Sequence, residues 1–231
     1  MSGSPLPRLR LVLAVSLDGR LAPPEGGAAQ LGGRGDRRVL EEALAWADGA
    51  LLGAETLRRH GSTCLIHAPD LLAQRRQQGR PAQPLSLVAS RGGPIPADLP
   101  FFSQPLERWL LLAWPPAQAV PREAVPASPA GFARVLTMQS WELVLRQLSE
   151  AGLERLVVLG GASLAASLLA ENRLDELQLT LCPQLLGGEH SWLGPAAALP
   201  LEARAGWRLL EQRRLEGEEL LLRYGRDPVG P

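Results

Sequence analysis

The 231-residue sequence predicts an α/β fold: a mostly parallel central sheet, helices on both faces and an antiparallel hairpin at the carboxyl end. Three observations carry this. Short apolar runs alternate with segments of helical period. One run, "RLVVLGGASLAASLLA" at residues 155–170, passes through two adjacent glycines into an apolar helix. The tail "GWRLLEQRRLEGEELLLRYGR" reads as two strands around Glu216-Gly217. No internal repeat or boundary interrupts the pattern. Residues 1–231 are therefore expected to form one domain, with its core at about 8–225.

"RLRLVLAVSL" is the first strand, continuously apolar and therefore buried. A glycine-rich stretch over 18–35 follows with no hydrophobic period, and loops of this length are commonly functional. "DRRVLEEALAWA" has a helical period, with Val39, Leu40, Ala43, Leu44 and Ala47 on one side and Asp36 as the expected N-cap. "DGALLGAETLRR" is a strand, a glycine and a second helix start. Residues 60–84 read as a polar surface excursion. "PLSLVASR" and "RWLLLAW" are further strands. Residues 115–131 are a proline-rich covering loop in which "REAVP" is a candidate short strand, and "ARVLTM" is a strand beyond it. "SWELVLRQLSEAG" is a helix with Ser140 as N-cap and Gly152 just past its end. In "LDELQLTLCPQLLGG", Leu177, Leu179 and Leu181 face one way and Gln178, Thr180 and Cys182 the other.

Composition removes several function classes. Basic and acidic residues balance at 24 each, which argues against a nucleic-acid or membrane-surface protein. All 24 basic residues are arginine, so neither a Walker phosphate loop nor Schiff-base chemistry on a lysine is available. Two distant cysteines and three scattered histidines form no metal-ligand spacing, and no metal is expected. No apolar run reaches the ~18 residues of a membrane span, and the amino terminus lacks a clear cleavage site. A cytoplasmic protein is expected.

The glycine pair Gly160-Gly161 suits two purposes. It can simply turn the chain, or it can bare the amides of a helix start to an anion. Unpaired N–H groups there carry partial positive charge, and a diphosphate docks well where no Cβ blocks it. Ala162 and Ser163 are small, and Ser163 offers a hydroxyl. Gly53 with Thr56 marks a second strand end of this kind. Ser90 with Arg91 marks a third, where a guanidinium suits a ribose 2′-phosphate unless it is only a solvated loop charge. In open α/β sheets ligands bind beyond the carboxyl ends of strands. Three such ends suggest one dinucleotide groove, preferably for NADPH.

The segments "SLDGRLA", "ADGALLGAET" and "VVLGGASLAASLLAENRLDELQLTLCPQLLGG" together resemble the reductase domain of riboflavin biosynthesis, within the dihydrofolate-reductase-like fold. The resemblance covers nearly the whole chain. It implies an NADPH-dependent oxidoreductase that reduces the ribosyl group of a ribosylaminopyrimidine 5′-phosphate to ribityl, with hydride going to C1′. By the same resemblance, Ser16 and the catalytic candidate Asp18 lie beside the nicotinamide and substrate. Gly53, Thr56, Gly160, Gly161, Ala162 and Ser163 meet the cofactor, and Ser90 and Arg91 its adenosine ribose. Arg34 and Arg37 are candidates for the substrate phosphate, set against a plain solvated helix face. A homodimer is implied. The sequence departs from the family pattern at Leu159, where many members carry glutamate. It departs again at "LRRHGST", where many carry Asp-x-Pro, and at Leu11-Val12, where a lysine is common. These departures bear on the substrate's base more than on the hydride chemistry. The alternatives are another pterin-like substrate or a non-catalytic nucleotide-binding relative.

Overall fold

The computed structural model describes residues 5–27, 31–92, 94–113, 131–193, 199–200, 204 and 206–226. The strands are β1 (Arg8–Ser16), β2 (Gly49–Gly53), β3 (Leu85–Ser90), β4 (Arg108–Ala113), β5 (Arg134–Met138), β6 (Arg155–Val158), β7 (Glu176–Cys182), β8 (Trp207–Arg214) and β9 (Leu220–Arg226). The helices are α1 (Arg34–Trp46), α2 (Ala54–His60), α3 (Pro69–Gln77), α4 (Trp141–Glu150) and α5 (Ala162–Ala170). One sheet contains the nine strands in the order β5-β4-β3-β2-β6-β1-β7-β9-β8. β1 to β7 run parallel. β9 is antiparallel to β7, and β8 to β9, which makes the expected carboxyl-terminal hairpin an edge of the sheet.

The order of the strands fixes which face each helix covers. The chain moves outward from β1 to β2 and on to β5, then returns to β6 and steps past β1 to β7. Right-handed crossovers in opposite directions must lie on opposite faces. Accordingly, α4 and α5 pack with Leu9, Leu11, Leu13, Val15, Leu51 and Val158 on one side. On the other side α1 and α3 bury Val12, Ala50 and Val157, while α2 packs on Leu52 and Val88. The reversal occurs at β6, between β1 and β2. A crevice for ligands is expected at that switch point.

Three local expectations need correction. Asp36 does not cap α1, which begins two residues earlier with Gly33 as its N-cap. The cap comes from the far end of the chain instead. The buried Glu219 carboxylate, in the turn before β9, accepts the N–H groups of Gly33 and Asp36. Residues 60–84 are not a purely polar surface, since they contain α3 and a buried arginine. Arg75 is 1% exposed and donates to the carbonyls of Leu44, Ala45, Ala47 and Pro81, closing the carboxyl end of α1. On β7 the polar series Gln178, Thr180 and Cys182 is the more deeply buried one, under α1. Ser140 does cap α4, accepting the Leu143 N–H, and Gly152 has φ +87 just past its end. The candidate strand "REAVP" lies outside the described residues.

Candidate active site

Because seven strands run parallel, their carboxyl ends share one edge. Across that edge stand Ser90 of β3, Gly53 of β2, the Leu159-Gly160-Gly161 bend after β6, Ser16 of β1 and Cys182 of β7. With neighbouring strands about 4.8 Å apart, Ser90 to Ser16 spans three gaps, roughly 14 Å. Two strand–helix junctions in this row lie side by side, because β2 pairs with β6.

Both glycines of the bend adopt backbone that L-residues avoid, with φ +85 at Gly160 and φ +96 at Gly161. A Cβ at Gly160 would lie 3.2 Å from Leu13 Cδ2, and one at Gly161 would lie 3.1 Å from Thr56 Oγ1. The same Thr56 hydroxyl lies 3.8 Å from a Cβ built on Gly53. Thr56 thus stands between the two junctions, and Gly53, Thr56, Gly160 and Gly161 are one cluster. Ala162 and Ser163 open α5, whose N-cap Gly161 gives it no side-chain cap. Nor does Gly53, the N-cap of α2. Gly160 is buried, Gly161 and Ala162 are half-buried and Ser163 is exposed, so the bend reaches solvent at its α5 end. The start of α5, with glycine before it and small residues on its first turn, is of the kind that suits a diphosphate.

Ser16 and Asp18 stand one strand away, beyond β1. The Ser16 hydroxyl donates to Asp18 Oδ1 and accepts the Arg20 N–H at 2.9 Å. Asp18 also accepts the N–H of Leu186 at 3.1 Å and of Gly187 at 2.8 Å, from the loop after β7. These bonds, led by the Ser16 hydroxyl, hold its carboxyl down at about 2. Asp18 is therefore a carboxylate throughout the neutral range, and it ties two loops together. It also opens the Asp18-Gly19 turn, where Gly19 has φ +75. At the other end of the row, Ser90 and Gly92 exchange hydrogen bonds of 3.2 Å between the hydroxyl and the backbone. Arg58 of α2 grips the carbonyls of Gly92 and Pro94 at 3.2 and 3.0 Å, and Arg91 projects from that loop into solvent. Arg34 and Arg37 are both exposed on the first turn of α1, with Arg37 Nε 3.7 Å from Glu41.

Sequence reasoning missed two side chains here. Asp36 was expected to cap α1, yet it is the third residue of the helix, half-buried, with its carboxyl beside Thr180 of β7. Burial, and then the neighbouring Glu219 carboxylate, push it above the ordinary carboxylate range. Glu219 carries no local signal at all, because its partners are 183 and 186 residues away. Two surface grooves lie elsewhere, between β5 and α4 and over the amino-terminal parts of β1 and β7. Neither is lined by a residue of the row from Ser90 to Cys182. The second is filled by ion pairs such as Arg8, Arg10 and Arg223 with buried Glu176. Among the described residues no group of three or more histidine, cysteine or acidic side chains could hold a metal, and no helix is long and apolar enough to cross a membrane.

Known proteins share this architecture. A protein of Methanothermobacter thermautotrophicus named 2,5-diamino-6-ribosylamino-4(3H)-pyrimidinone 5′-phosphate reductase is 24% identical over 229 residues, covering 94% of this chain and 97% of that protein. The crystal structure of a pyrimidine reductase-like protein from Corynebacterium diphtheriae superposes with a TM-score of 0.75 at 18% identity, over 96% of this chain and 92% of that one. Dihydrofolate reductase from Enterococcus faecalis, complexed with NADP(H), has the same fold more distantly, with a TM-score of 0.53 at 15% identity over 96% and 97% of the two chains. The pattern of the RibD C-terminal domain matches residues 7–211, most of the chain, and the protein therefore belongs to that family.

Proposed function

We propose that this protein is an NADPH-dependent reductase of riboflavin biosynthesis. It reduces the ribosyl group of a ribosylaminopyrimidine 5′-phosphate to ribityl. One observation carries the reading: the uncapped start of α5 behind two positive-φ glycines, set at the switch point of a parallel sheet. The names of the relatives supply the substrate class.

In this reading the amides of Gly160 to Ser163 bind the cofactor's diphosphate, with Thr56 and Gly53 closing the other side. Ser90 and Arg91 receive the adenosine ribose and its 2′-phosphate. Bound NADPH supplies the hydride, while the protein supplies position and electrostatics. Fixing two reactants in contact is worth roughly 7–11 kcal/mol of barrier. Ser16 and Asp18, braced against residues 186–187, hold the sugar at the nicotinamide end, with Asp18 offering a fixed negative charge to a cationic reacting centre. Arg34 and Arg37 lie within the same end of the molecule and take the substrate phosphate. The chain serves as one reductase domain and works as a cytoplasmic homodimer. A second reading, a reductase of another pterin-like substrate or a nucleotide-binding relative without turnover, is favoured by one feature. Leu159, half-buried, packs its side chain into the core on the α1 face, where many relatives place a glutamate.

The test is oxidation of NADPH in the presence of the ribosylaminopyrimidine phosphate, followed by absorbance. Turnover is expected. Cofactor binding without turnover on that substrate would reject the riboflavin assignment in favour of the second reading. Replacing Arg91 by alanine should weaken NADPH about tenfold to a hundredfold, the range of a charged hydrogen bond of 1.5–3 kcal/mol, and leave NADH almost unaffected. Equal losses for both cofactors would remove Arg91 from the site.

A further inference from the structure

The amino-terminal ends of the central strands gather arginine on one face of the sheet. Side chains two apart on a strand share a face, so Arg8 and Arg10 of β1 lie on the side of Val12, which α1 covers. Arg8 stands opposite Arg155 of β6, and Arg10 opposite Glu176 of β7. Like charges directly opposite across a strand pair are destabilising, and neither β1 nor β6 contains an acid to separate Arg8 from Arg155. This face borders a groove of about 500 Å³, lined by five arginines and three glutamates, a surplus of two positive charges.

The ion pairs of the groove account for its carboxylates but not for its cations. Glu176, 3% exposed, meets Arg8 at 2.9 Å, Arg10 at 2.7 Å and Arg223 at 3.3 Å, one acid for three bases. Arg213 and Arg223 are each held by Glu211 as well, and Arg213 by Glu42. Arg10 is held only at Nε, and among the described residues nothing accepts a hydrogen bond from its two terminal nitrogens, although its side chain is 9% exposed. Arg155 Nε is buried with no hydrogen-bond partner. Its ion-pair partner among the described residues, Asp48, is 3.7 Å away and is already bonded to Arg80. The Arg10 and Arg155 guanidinium groups converge on the Trp46 ring, at 4.0 and 5.8 Å from its centroid. Burial, opposed by Glu176, lowers the Arg10 pKa, and the neighbouring Arg223 and Arg8 charges lower it further.

We propose that this groove is a second ligand site, which binds a phosphate dianion, free or carried as a monoester, among Arg8, Arg10 and Arg155. Guanidinium groups present paired donors that match phosphate oxygens. Two negative charges cancel the surplus of two, and the unpartnered nitrogens of Arg10 and Arg155 gain acceptors. The site is distinct from the cofactor cradle. Arg10 and Ser16 lie at opposite ends of β1, roughly 20 Å apart at about 3.3 Å per residue. The inference therefore stands apart from the reductase reading.

The test is an NMR titration of the whole chain with sodium phosphate, at a pH where the dianion dominates, against sodium chloride at equal ionic strength. Phosphate should give saturable shifts at the amides of Arg8, Arg10 and Arg155 and at the Trp46 indole N–H, and chloride should not. Arg155→Met, at a half-exposed position, should weaken phosphate about tenfold to a hundredfold, the range of one charged hydrogen bond. Arg8→Met, whose native side chain is 53% exposed, is the second variant and should weaken it in the same direction. Arg146→Met, at an exposed ion pair with Glu142 on α4, should leave phosphate binding unchanged. Ribose 5-phosphate distinguishes the two sources: equal affinity assigns the groove to free phosphate, and tighter binding assigns it to a monoester. Shifts matched by chloride, shifts confined to residues 160–163 at the start of α5, or affinity unchanged in both Arg155→Met and Arg8→Met would overturn the proposal.

Discussion

Helices that follow parallel strands begin at the same edge of the sheet, yet in this protein they begin in two different ways. The starts of α1 and α4 are closed by the protein's own oxygens. Glu219 takes two amides of α1, while Glu171 and Ser140 take the Trp141 and Leu143 amides of α4. The approach to α3 is closed too, with Glu41 accepting the His67 and Ala68 N–H groups. Among the described residues no side chain caps the starts of α2 and α5, and both follow glycine. A helix start is an anion site. Where the anion is an internal carboxylate, the site is spent on stability. Where it is left bare beside a neighbouring bare start, it is available to a ligand. The difference divides a single edge into closed and open helix starts.

The comparison can be broken from either side. Opening a closed start should cost stability and nothing else at the cofactor. Glu219→Ala leaves two part-buried amides unpaired, and at about 1 kcal/mol for each it should destabilise the fold by about 2 kcal/mol in urea melts. NADPH affinity should not change. A comparable loss of cofactor binding would mean that α1, not α5, carries the diphosphate. Obstructing the open start should do the reverse. Gly161→Ala places a Cβ 3.1 Å from Thr56 Oγ1 at φ +96. It should cost about 1–3 kcal/mol of stability through backbone strain, with a disproportionate loss of NADPH affinity, readable in nicotinamide fluorescence. If stability falls and affinity does not, the bend is only a turn. The smallest effect is the sharpest. Ser163→Glu puts a carboxylate on the first turn of α5, which should raise stability by about 0.3–1 kcal/mol while weakening NADPH about tenfold. No natural ligand need be known for this opposition of signs to appear; NADPH weakened by Ser163→Glu but left alone by Glu219→Ala would place the diphosphate.

How much of this was legible in the sequence follows the same division. The open starts announce themselves locally, because a bare amide needs glycine beside a strand and then a small residue. "LLGAET" and "LGGASL" carry both signals within six residues. The parallel core and the terminal hairpin are also local patterns, of apolar runs and of two strands around a turn. The closed starts are invisible, because their partners are remote. Nothing near Glu219 says that it caps a helix 183 residues away, and Asp36 satisfies the local N-cap rule without serving it. Arg75 misleads for a related reason. "AQRRQQGR" reads as solvated surface, and only the three carbonyls at the end of α1 explain a buried guanidinium there. Thr180 and Cys182 look like the outer face of a strand, until α1 is seen to cover them. Chemistry made by one segment could be read; chemistry made between segments required the fold.

The most direct test of the account is an amide-resolved NMR titration of the 24.8 kDa chain with NADPH. The account predicts saturable binding, with the largest shifts at Gly53, Gly160, Gly161, Ala162 and Ser163, smaller ones at Ser90 and Arg91, and none at Gly33 or Asp36. Absence of binding, or binding whose shifts cluster at the start of α1 or in the grooves away from the carboxyl edge, would contradict it.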